Sequence, residues 1–276
     1  MENNQARKIH VSVITVCRNA GEAIRETVES VLNQNFDSFE YIVKDGKSTD
    51  NTLQILQEYI PEFKKRDIKY VLISEVDNSL YEAMNIGIGI SSGHWLNFMN
   101  AGDSFYNTHV LDNVFKQNYD DAVVLYGDNI VEDEFGIGLN IADINVIHKK
   151  MPFNHQAAFF NAMYIKQYMY DEKYKIGADY DLVIRLYMAG YKFIHLDEIV
   201  SKYRLNGMSS TEYVKVARER QLIRNTYGYR DNVWLENWKI IEAYIKEILE
   251  KYCPRYILKY LNRFYKIHVK KYNLEI

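Results

Sequence analysis

The first hundred residues alternate between short apolar runs and longer amphipathic segments, and this alternation constrains the fold more than any other feature. The apolar runs are rich in β-branched and aromatic residues, as buried strands are, and they occupy Ile9–Cys17, Phe39–Val43, Ile68–Ile73 and His94–Met99. The segments between them have helical spacing, at Ala20–Asn33, Thr52–Tyr59 and Leu80–Ile90. Strands that alternate with helices form parallel sheets with right-handed crossovers. We therefore predict an α/β domain with a mostly parallel central sheet flanked by helices.

After Asp103 the pattern changes and becomes mixed. We predict a strand, a hairpin that turns at Gly136 and Gly138, a helix and a further strand, at Ala122–Tyr126, Gly127–Asn140, Asp179–Ala189 and Tyr191–Leu196. From Thr211 the pattern is helical to the end, with one break at Pro254. The predicted organisation is a single α/β domain over residues 1–210 and a C-terminal helical appendage over residues 211–276.

Charge and cysteine content indicate where such a chain works. The 276 residues carry a net charge of −3 and contain two cysteines, too few for a disulfide framework, so we expect a reducing, cytoplasmic setting. We expect no secretory signal and no membrane-spanning segment. The basic residues concentrate after Lys251, and the segments Val233–Tyr252 and Tyr256–Val269 are both amphipathic. We predict that the first packs on the main domain or in a homodimer and that the second makes peripheral contact at the inner face of the plasma membrane, with no nucleic-acid binding.

Polar residues follow each of the first four predicted strands. They are the segments Thr15–Asn19, Asp45–Gly46, Glu75–Asp77 and Asn100–Asp103. Since ligands of open α/β sheets bind beyond the carboxyl ends of the strands, we expect these segments to share one cleft. Grouped carboxylates repel one another unless a cation or a hydrogen-bond donor offsets their charge. A nucleoside diphosphate with Mg²⁺ or Mn²⁺ supplies both, because such ions take one or two carboxylates together with phosphate oxygens.

Two common nucleotide-binding motifs do not fit. The run Gly46-Lys47-Ser48 has the form of the end of a P-loop, but that motif requires a glycine where this chain has Tyr41. The turn after the first strand has no Gly-x-Gly-x-x-Gly pattern. Kinase, ATPase and dinucleotide-dehydrogenase functions therefore lose their main support.

Four segments, taken in order, resemble a known family. Val11–Asn19, Asp45–Thr52, Tyr81–Ile88 and Asn100–Asp103 are similar in kind and spacing to segments of the family 2 glycosyltransferases, which have the GT-A fold. The likeness covers roughly residues 8–210 and is greatest to bacterial members that build surface polysaccharides. It implies a GT-A domain that binds a nucleotide sugar, with the helical appendage behind it.

The resemblance also implies roles for individual residues. The nucleotide and donor sugar would be bound by Thr15, Arg18, Asn19, Asp45, Asp77, Tyr81, Asn85, Asn100 and Arg204. Most of these have an alternative interpretation. It is a strand end with a helix cap for Thr15, Arg18 and Asn19, an Asx-turn for Asp45, a solvated turn for Asp77, packing for Tyr81 and a surface ion pair for Arg204. The chain departs from the family at Asn100 and Gly102, where many relatives carry an acid.

The remaining roles concern the metal and the acceptor. Asp103 would hold Mg²⁺ or Mn²⁺, and His155 would contact the diphosphate or the acceptor. Asp179 would be the catalytic base, although it also suits a helix N-cap, and Ala178 replaces the acid that usually precedes it. Asp181 is predicted to pair with Arg185 four residues later.

These assignments predict an inverting, metal-dependent glycosyltransferase. It would move a sugar from a UDP-sugar to a hydroxyl of a glycan or lipid-linked acceptor in bacterial surface polysaccharide synthesis. Two other functions stay open at this point: a non-catalytic nucleotide-binding scaffold with the same fold, and a sugar nucleotidyltransferase.

Overall fold

The N-terminal strands form one half of the central sheet. The computed structural model describes residues 9–133, 136–204, 212–230 and 232–253. Within these residues, β1 (Val11–Cys17), β2 (Phe39–Asp45), β3 (Lys69–Ser74) and β4 (Trp95–Phe98) lie in the order β3-β2-β1-β4, and all are parallel. The prediction of a parallel sheet with its strand ends on one edge is therefore confirmed.

The second half of the sheet is mixed in direction. It comprises β5 (Ser104–Phe105), β6 (Val124–Asp133), β7 (Gly136–Asn140), β8 (Ala158–Asn161) and β9 (Phe193–Arg204). From β4 the order continues β8-β6-β9-β5, with β8 antiparallel to both of its neighbours and β6 parallel to β9. β7 pairs with β6 as the predicted hairpin. The pattern did not predict β5, and β9 continues well beyond the expected Leu196 because it pairs with both β6 and β5.

Helices cover both faces of the sheet. They are α1 (Ala23–Leu32), α2 (Thr52–Glu58), α3 (Ile60–Lys65), α4 (Leu80–Ile90), α5 (Val110–Phe115), α6 (Ala162–Tyr168), α7 (Ala178–Met188), α8 (Tyr213–Thr226) and α9 (Val233–Tyr252). The predicted bounds of α4 are confirmed. The pattern missed the short helices α3, α5 and α6, which have too few turns to show a clear period.

The core has two parts, one on each face of the sheet. Val11 and Val13 of β1 pack with α1, α2, α3 and α5, whereas Ile14 and Val16 pack with α4, α6, α7 and α8. This alternation follows from the two-residue period of a strand. On the second face Gly87 brings α4 close to β1, since a Cβ there would lie 2.6 Å from Ile14 Cγ2.

The C-terminal helices are packed into this body. Ile223 of α8 is fully buried in the second core, and Arg224 Nε donates to the carbonyl of His148 at 2.9 Å. α9 packs on α8, where Glu247 Oε1 accepts from the Val214 amide at 2.8 Å. The predicted domain boundary at residue 210 and the basic segment after Pro254 lie outside the described residues.

The outer face of α9 is apolar and exposed. Trp234 and Trp238 are 84% and 61% exposed, and they share this face with Ile241, Tyr244, Ile245 and Ile248. The packing predicted for this segment is therefore one-sided. No helix in the described ranges is long and apolar enough to cross a membrane.

A buried carboxylate joins three elements at the amino end of the sheet. Glu40 of β2 accepts from Ser12 Oγ of β1 at 2.6 Å, from Lys69 Nζ of β3 at 2.6 Å, and from both the amide and the hydroxyl of Ser92. Burial raises the pKa of Glu40, but the bonds from Lys69, Ser12 and Ser92 outweigh it, and the net pKa lies below its usual value. The ionised form therefore stabilises the fold.

We expect Glu40→Gln to lower the free energy of unfolding at pH 7 by about 1–3 kcal/mol, since charge-assisted hydrogen bonds are lost. Because the folded pKa is lowered, this stabilisation is complete above the unfolded pKa of about 4.3 and is lost as the pH falls through the folded value. Urea denaturation at pH 7 and at lower pH measures the difference, which must shrink on acidification.

The matched control is Glu62→Gln, at a half-exposed glutamate that pairs only with Lys65 of its own helix. This variant should change stability by less than about 0.5 kcal/mol at either pH. A Glu40 effect that is the same at both pH values would contradict the linkage.

Candidate active site

A cleft of about 970 Å³ opens beyond the carboxyl ends of β1 and β4. One wall is formed by Arg18 after β1 and by the turn from Asn100 to Asp103 after β4. The opposite wall is formed by Asp179 in the first turn of α7, together with residues of α8 and α9. The cleft lies where the sequence predicted it, but its far wall comes from the C-terminal helices.

The turn after β4 holds Asp103 on the floor of this cleft. The Asp103 amide donates to the Asn100 carbonyl at 3.0 Å, and Gly102 has a φ of 93°, which suits glycine. Thr27 of α1 braces the turn, because its hydroxyl accepts from the Gly102 amide at 2.9 Å and donates to the Asp103 carbonyl at 2.7 Å. The Asp103 side chain is nearly buried, and its Oδ2 accepts from Gln156 Nε2 at 2.6 Å.

The donor atoms around Asp103 fit a divalent cation that is also bound by phosphate oxygens. Asn100 lines the cleft, and its Oδ1 is a buried oxygen without a hydrogen-bond partner in the described structure. Among the described residues no three acidic, histidine or cysteine side chains cluster as a metal site. One carboxylate and one amide oxygen suit Mg²⁺ or Mn²⁺ only when a ligand's phosphates complete the coordination.

His155 joins this turn to Asp179. Asn100 Nδ2 lies 3.0 Å from His155 Nε2, and His155 Nδ1 lies 3.5 Å from Asp179 Oδ2. The amide nitrogen is a donor, so Nε2 accepts and the ring proton is assigned to Nδ1, on the side of Asp179. His155 thus lies between Asn100 and Asp179, and the Asp179 side chain is 24% exposed.

α8 holds the start of α7 in place. The carboxylate of Glu219 accepts from the amides of Lys175, Ile176 and Gly177 at 2.8–2.9 Å, immediately before α7 begins. A side chain at Gly177 would meet Ile223 of α8 at 2.9 Å. Asp179 therefore directly follows a loop that hydrogen bonds from α8 hold in place.

Asp181 has a structural partner, as predicted. Its Oδ2 accepts from Arg185 Nε at 2.7 Å, which confirms the predicted pair, and its Oδ1 accepts from Tyr227 Oη at 2.7 Å. The side chain is fully buried, away from the cleft.

Three further predicted residues line the cleft. Arg18 is exposed there, and Asp77 accepts from the buried ammonium of Lys44 at 3.0 Å. Tyr81 presents its ring, while its hydroxyl donates to the Ile176 carbonyl. Burial raises the pKa of Tyr81, and the charge of Asp179 raises it further.

Four residues that the sequence predicted as ligands are not among those that line this cleft. Asp45 is fully buried and accepts from Ser74 Oγ at 2.6 Å and from the Ser48 amide at 3.0 Å, which is the Asx-turn alternative. Thr15 is buried and donates to the Met99 carbonyl at 2.6 Å. These two buried side chains hold the strand ends in place but do not face the cleft.

The other two residues that do not line the cleft, Asn19 and Asn85, also have local hydrogen-bond partners. Asn19, at a φ of 51°, accepts from the Thr49 amide at 2.8 Å. Asn85 Nδ2 donates to the Tyr170 carbonyl at 3.0 Å. Arg204 ends β9, and its side chain lies outside the described residues.

Sequence reasoning missed the residues that support or complete the site from a distance. These are Thr27, Gln156, Glu219, Tyr213, Arg220 and Lys246. None lies at the end of a strand or in a recognisable motif. Only the folded chain brings them to the cleft.

This sheet topology, with an acidic cleft at the strand ends, defines a GT-A fold, the fold of many nucleotide-sugar transferases. The sequence model of glycosyl transferase family 2 matches residues 12–177, more than half of the chain. The protein therefore belongs to glycosyl transferase family 2 and is a glycosyltransferase.

Two curated relatives illustrate the similarity. A PGL/p-HBAD biosynthesis glycosyltransferase of Mycobacterium bovis (strain BCG / Pasteur 1173P2) is 27% identical over 226 residues, which cover 79% of this chain and 86% of the relative. The putative glycosyltransferase EpsE of Bacillus subtilis (strain 168) is 25% identical over 203 residues, which cover 70% and 72%.

Solved structures share the fold at low identity. TarS 1-349 of S. aureus in complex with UDP has a TM-score of 0.60 and 18% identity, and the match covers 87% of this chain and 72% of that one. The mannosyltransferase PcManGT of Pyrobaculum calidifontis, in complex with GDP-Man and Mn²⁺, has a TM-score of 0.65 and 15% identity, with coverages of 96% and 82%.

Proposed function

We propose that the protein transfers a sugar from a UDP-sugar to a hydroxyl of a glycan or lipid-linked acceptor, with inversion and with help from a divalent metal, in bacterial surface polysaccharide synthesis. One observation carries this proposal. Asp103 and Asp179 line the same cleft, and His155 lies between their two walls, hydrogen-bonded to Asn100 at 3.0 Å and 3.5 Å from the Asp179 carboxylate. A scaffold would need no such alignment, and a nucleotidyltransferase would need a basic, glycine-rich phosphate loop.

The donor end of the cleft is the side of Arg18 and Asp77. A side chain built at Gly46 would touch both of these residues, so they lie side by side there. The planar guanidinium of Arg18 would donate two hydrogen bonds to the diphosphate. Asn100 Oδ1 would accept a hydrogen bond from a ribose hydroxyl or coordinate a bound cation. UDP agrees with the ligand of the TarS structure, while the mannosyltransferase holds GDP-Man.

Asp103 would hold Mg²⁺ or Mn²⁺ at the diphosphate, where the ion would stabilise the charge of the leaving group. Thr27 and Gln156 keep the Asp103 turn and carboxylate in place before the ligand arrives. Such support matters because a ligand-binding carboxylate is effective only when its own position is set.

Asp179 acts as the base in this mechanism. Its carboxylate takes the proton of the acceptor hydroxyl as the oxygen attacks the anomeric carbon and the bond to the diphosphate breaks. His155 Nδ1 lies 3.5 Å from Asp179 Oδ2 and would orient the carboxylate towards the acceptor. One base and one displacement invert the anomeric centre. Thr15, Asn19, Asp45 and Asn85 serve as positioning residues for the surrounding loops.

We expect Asp179→Asn to lower kcat by about 10²–10⁴-fold, because the variant has no group to accept the proton. UDP affinity should be unchanged, since the substitution spares the donor end. Single-turnover transfer from a UDP-sugar and calorimetric titration with UDP measure the two effects. Asp171→Asn, outside the cleft, is the control. Undiminished transfer by Asp179→Asn would show that Asp179 is not the catalytic base.

For Asp103→Asn we expect the gain in UDP affinity on adding Mn²⁺ to fall by at least about tenfold, because the metal loses its carboxylate. UDP titrations in chelator and in Mn²⁺ measure this gain for each variant. Asp112→Asn, exposed on α5, should behave as the wild type. Equal Mn²⁺ dependence in Asp103→Asn and the wild type would refute the proposed metal position.

The exposed apolar face of α9 supports peripheral membrane contact near lipid-linked acceptors. We expect the double variant Trp234→Ser/Trp238→Ser to sediment several-fold less with anionic phospholipid vesicles than the wild type. Ile137→Ser removes an apolar residue of similar exposure from β7 and is the control. Unchanged sedimentation would show that this face does not bind the membrane. If the double variant instead loses the mass of a dimer, the face is a homodimer contact.

A further inference from the structure

The far wall of the cleft carries two cations from the C-terminal helices. Arg220 of α8 and Lys246 of α9 both line the cleft, on the same wall as Asp179. Lys246 Nζ lies 3.9 Å from the centre of the Tyr213 ring, which keeps the ammonium at the wall. These residues follow the segment that matches the family model, which ends at residue 177.

Arg220 has no hydrogen bond or ion pair with any residue that the structure describes, although it lies partly buried at the cleft wall. Burial lowers the pKa of its guanidinium; the charge of Asp179 opposes this, and that of Arg224 adds to it. A guanidinium that is removed from water without a partner is costly, and its planar fork suits phosphate and carboxylate oxygens. The site therefore has the chemistry of an anion subsite.

The neighbours of Arg220 place this subsite at the acceptor end. The groups whose charges act on it are Asp179, Tyr180 and Arg224, whereas Arg18 lies beside Asp77 near the donor end. Tyr203 and Tyr213 also line the cleft, and a tyrosine ring there offers a partly apolar surface to a sugar. An anion on Arg220 would thus lie next to the base, away from Asp103.

We propose that Arg220, assisted by Lys246, binds a phosphate or carboxylate group carried by the acceptor and so orients the acceptor hydroxyl towards Asp179. This inference rests on the proposed transferase function, which it extends to a class of acceptor. The acceptor is anionic close to its reacting sugar, either through a phosphate link or through an acidic sugar. Arg220 is a specificity-determining residue in this reaction.

The test measures the binding of inorganic phosphate and of acetate to the full chain, at constant ionic strength and with UDP and Mg²⁺ saturating the donor end. We expect Arg220→Gln to weaken the preferred anion by about tenfold or more, the loss of one charge-assisted contact. Arg220→Lys should retain part of the affinity. Arg218→Gln, exposed on the same helix, should bind as the wild type.

The outcomes separate the possibilities. Preference for phosphate assigns a phosphate-bearing acceptor, and preference for acetate an acidic sugar. The proposal is overturned if the wild type binds neither anion, if Arg220→Gln binds both unchanged, or if Arg220→Gln loses UDP affinity to the same degree. Should UDP fail to bind the wild type, the transferase proposal fails, and the anion titration without UDP still decides the subsite.

Discussion

The position of His155 between Asn100 and Asp179 is the constraint on which the site depends. It links the turn after β4 to the first turn of α7, two segments almost eighty residues apart in the chain. Without these contacts, Asp103 and Asp179 would be two acids on separate segments. With them, the two carboxylates have a set relation, as the proposed displacement at one carbon requires.

The residues that hold these two segments in place come from different layers of the fold. Thr27 reaches the Asp103 turn from α1, and Glu219 reaches the loop before α7 from α8. Each forms bonds with backbone amides, so it sets the path of the main chain as well as the position of one side chain. The C-terminal helices are therefore part of the site. α8 holds the loop that precedes Asp179, and together with α9 it forms the far wall of the cleft.

Some of this arrangement was predictable from the sequence. The parallel half of the sheet, the helix α4, the hairpin of β6 and β7, and the Asp181–Arg185 pair follow from local periodicity and spacing. The position of Asp45 did not. A carboxylate after a strand can point to a ligand or bond to its own turn, and only the structure shows that Asp45 accepts from the Ser48 amide of its own turn and from the Ser74 hydroxyl of the neighbouring strand.

The family resemblance predicted Asp179, whereas the sequence pattern itself determined the fold class, the edge of the sheet where the cleft lies, and the position of Asp103 at that edge. These features are encoded locally, because hydrophobic period and strand-end chemistry span only a few residues. The tertiary structure alone decided that Arg220 and Lys246 line the cleft and that Asp45 is buried behind it. These positions depend on contacts between segments that are distant in the sequence, so no short-range sequence pattern predicts them.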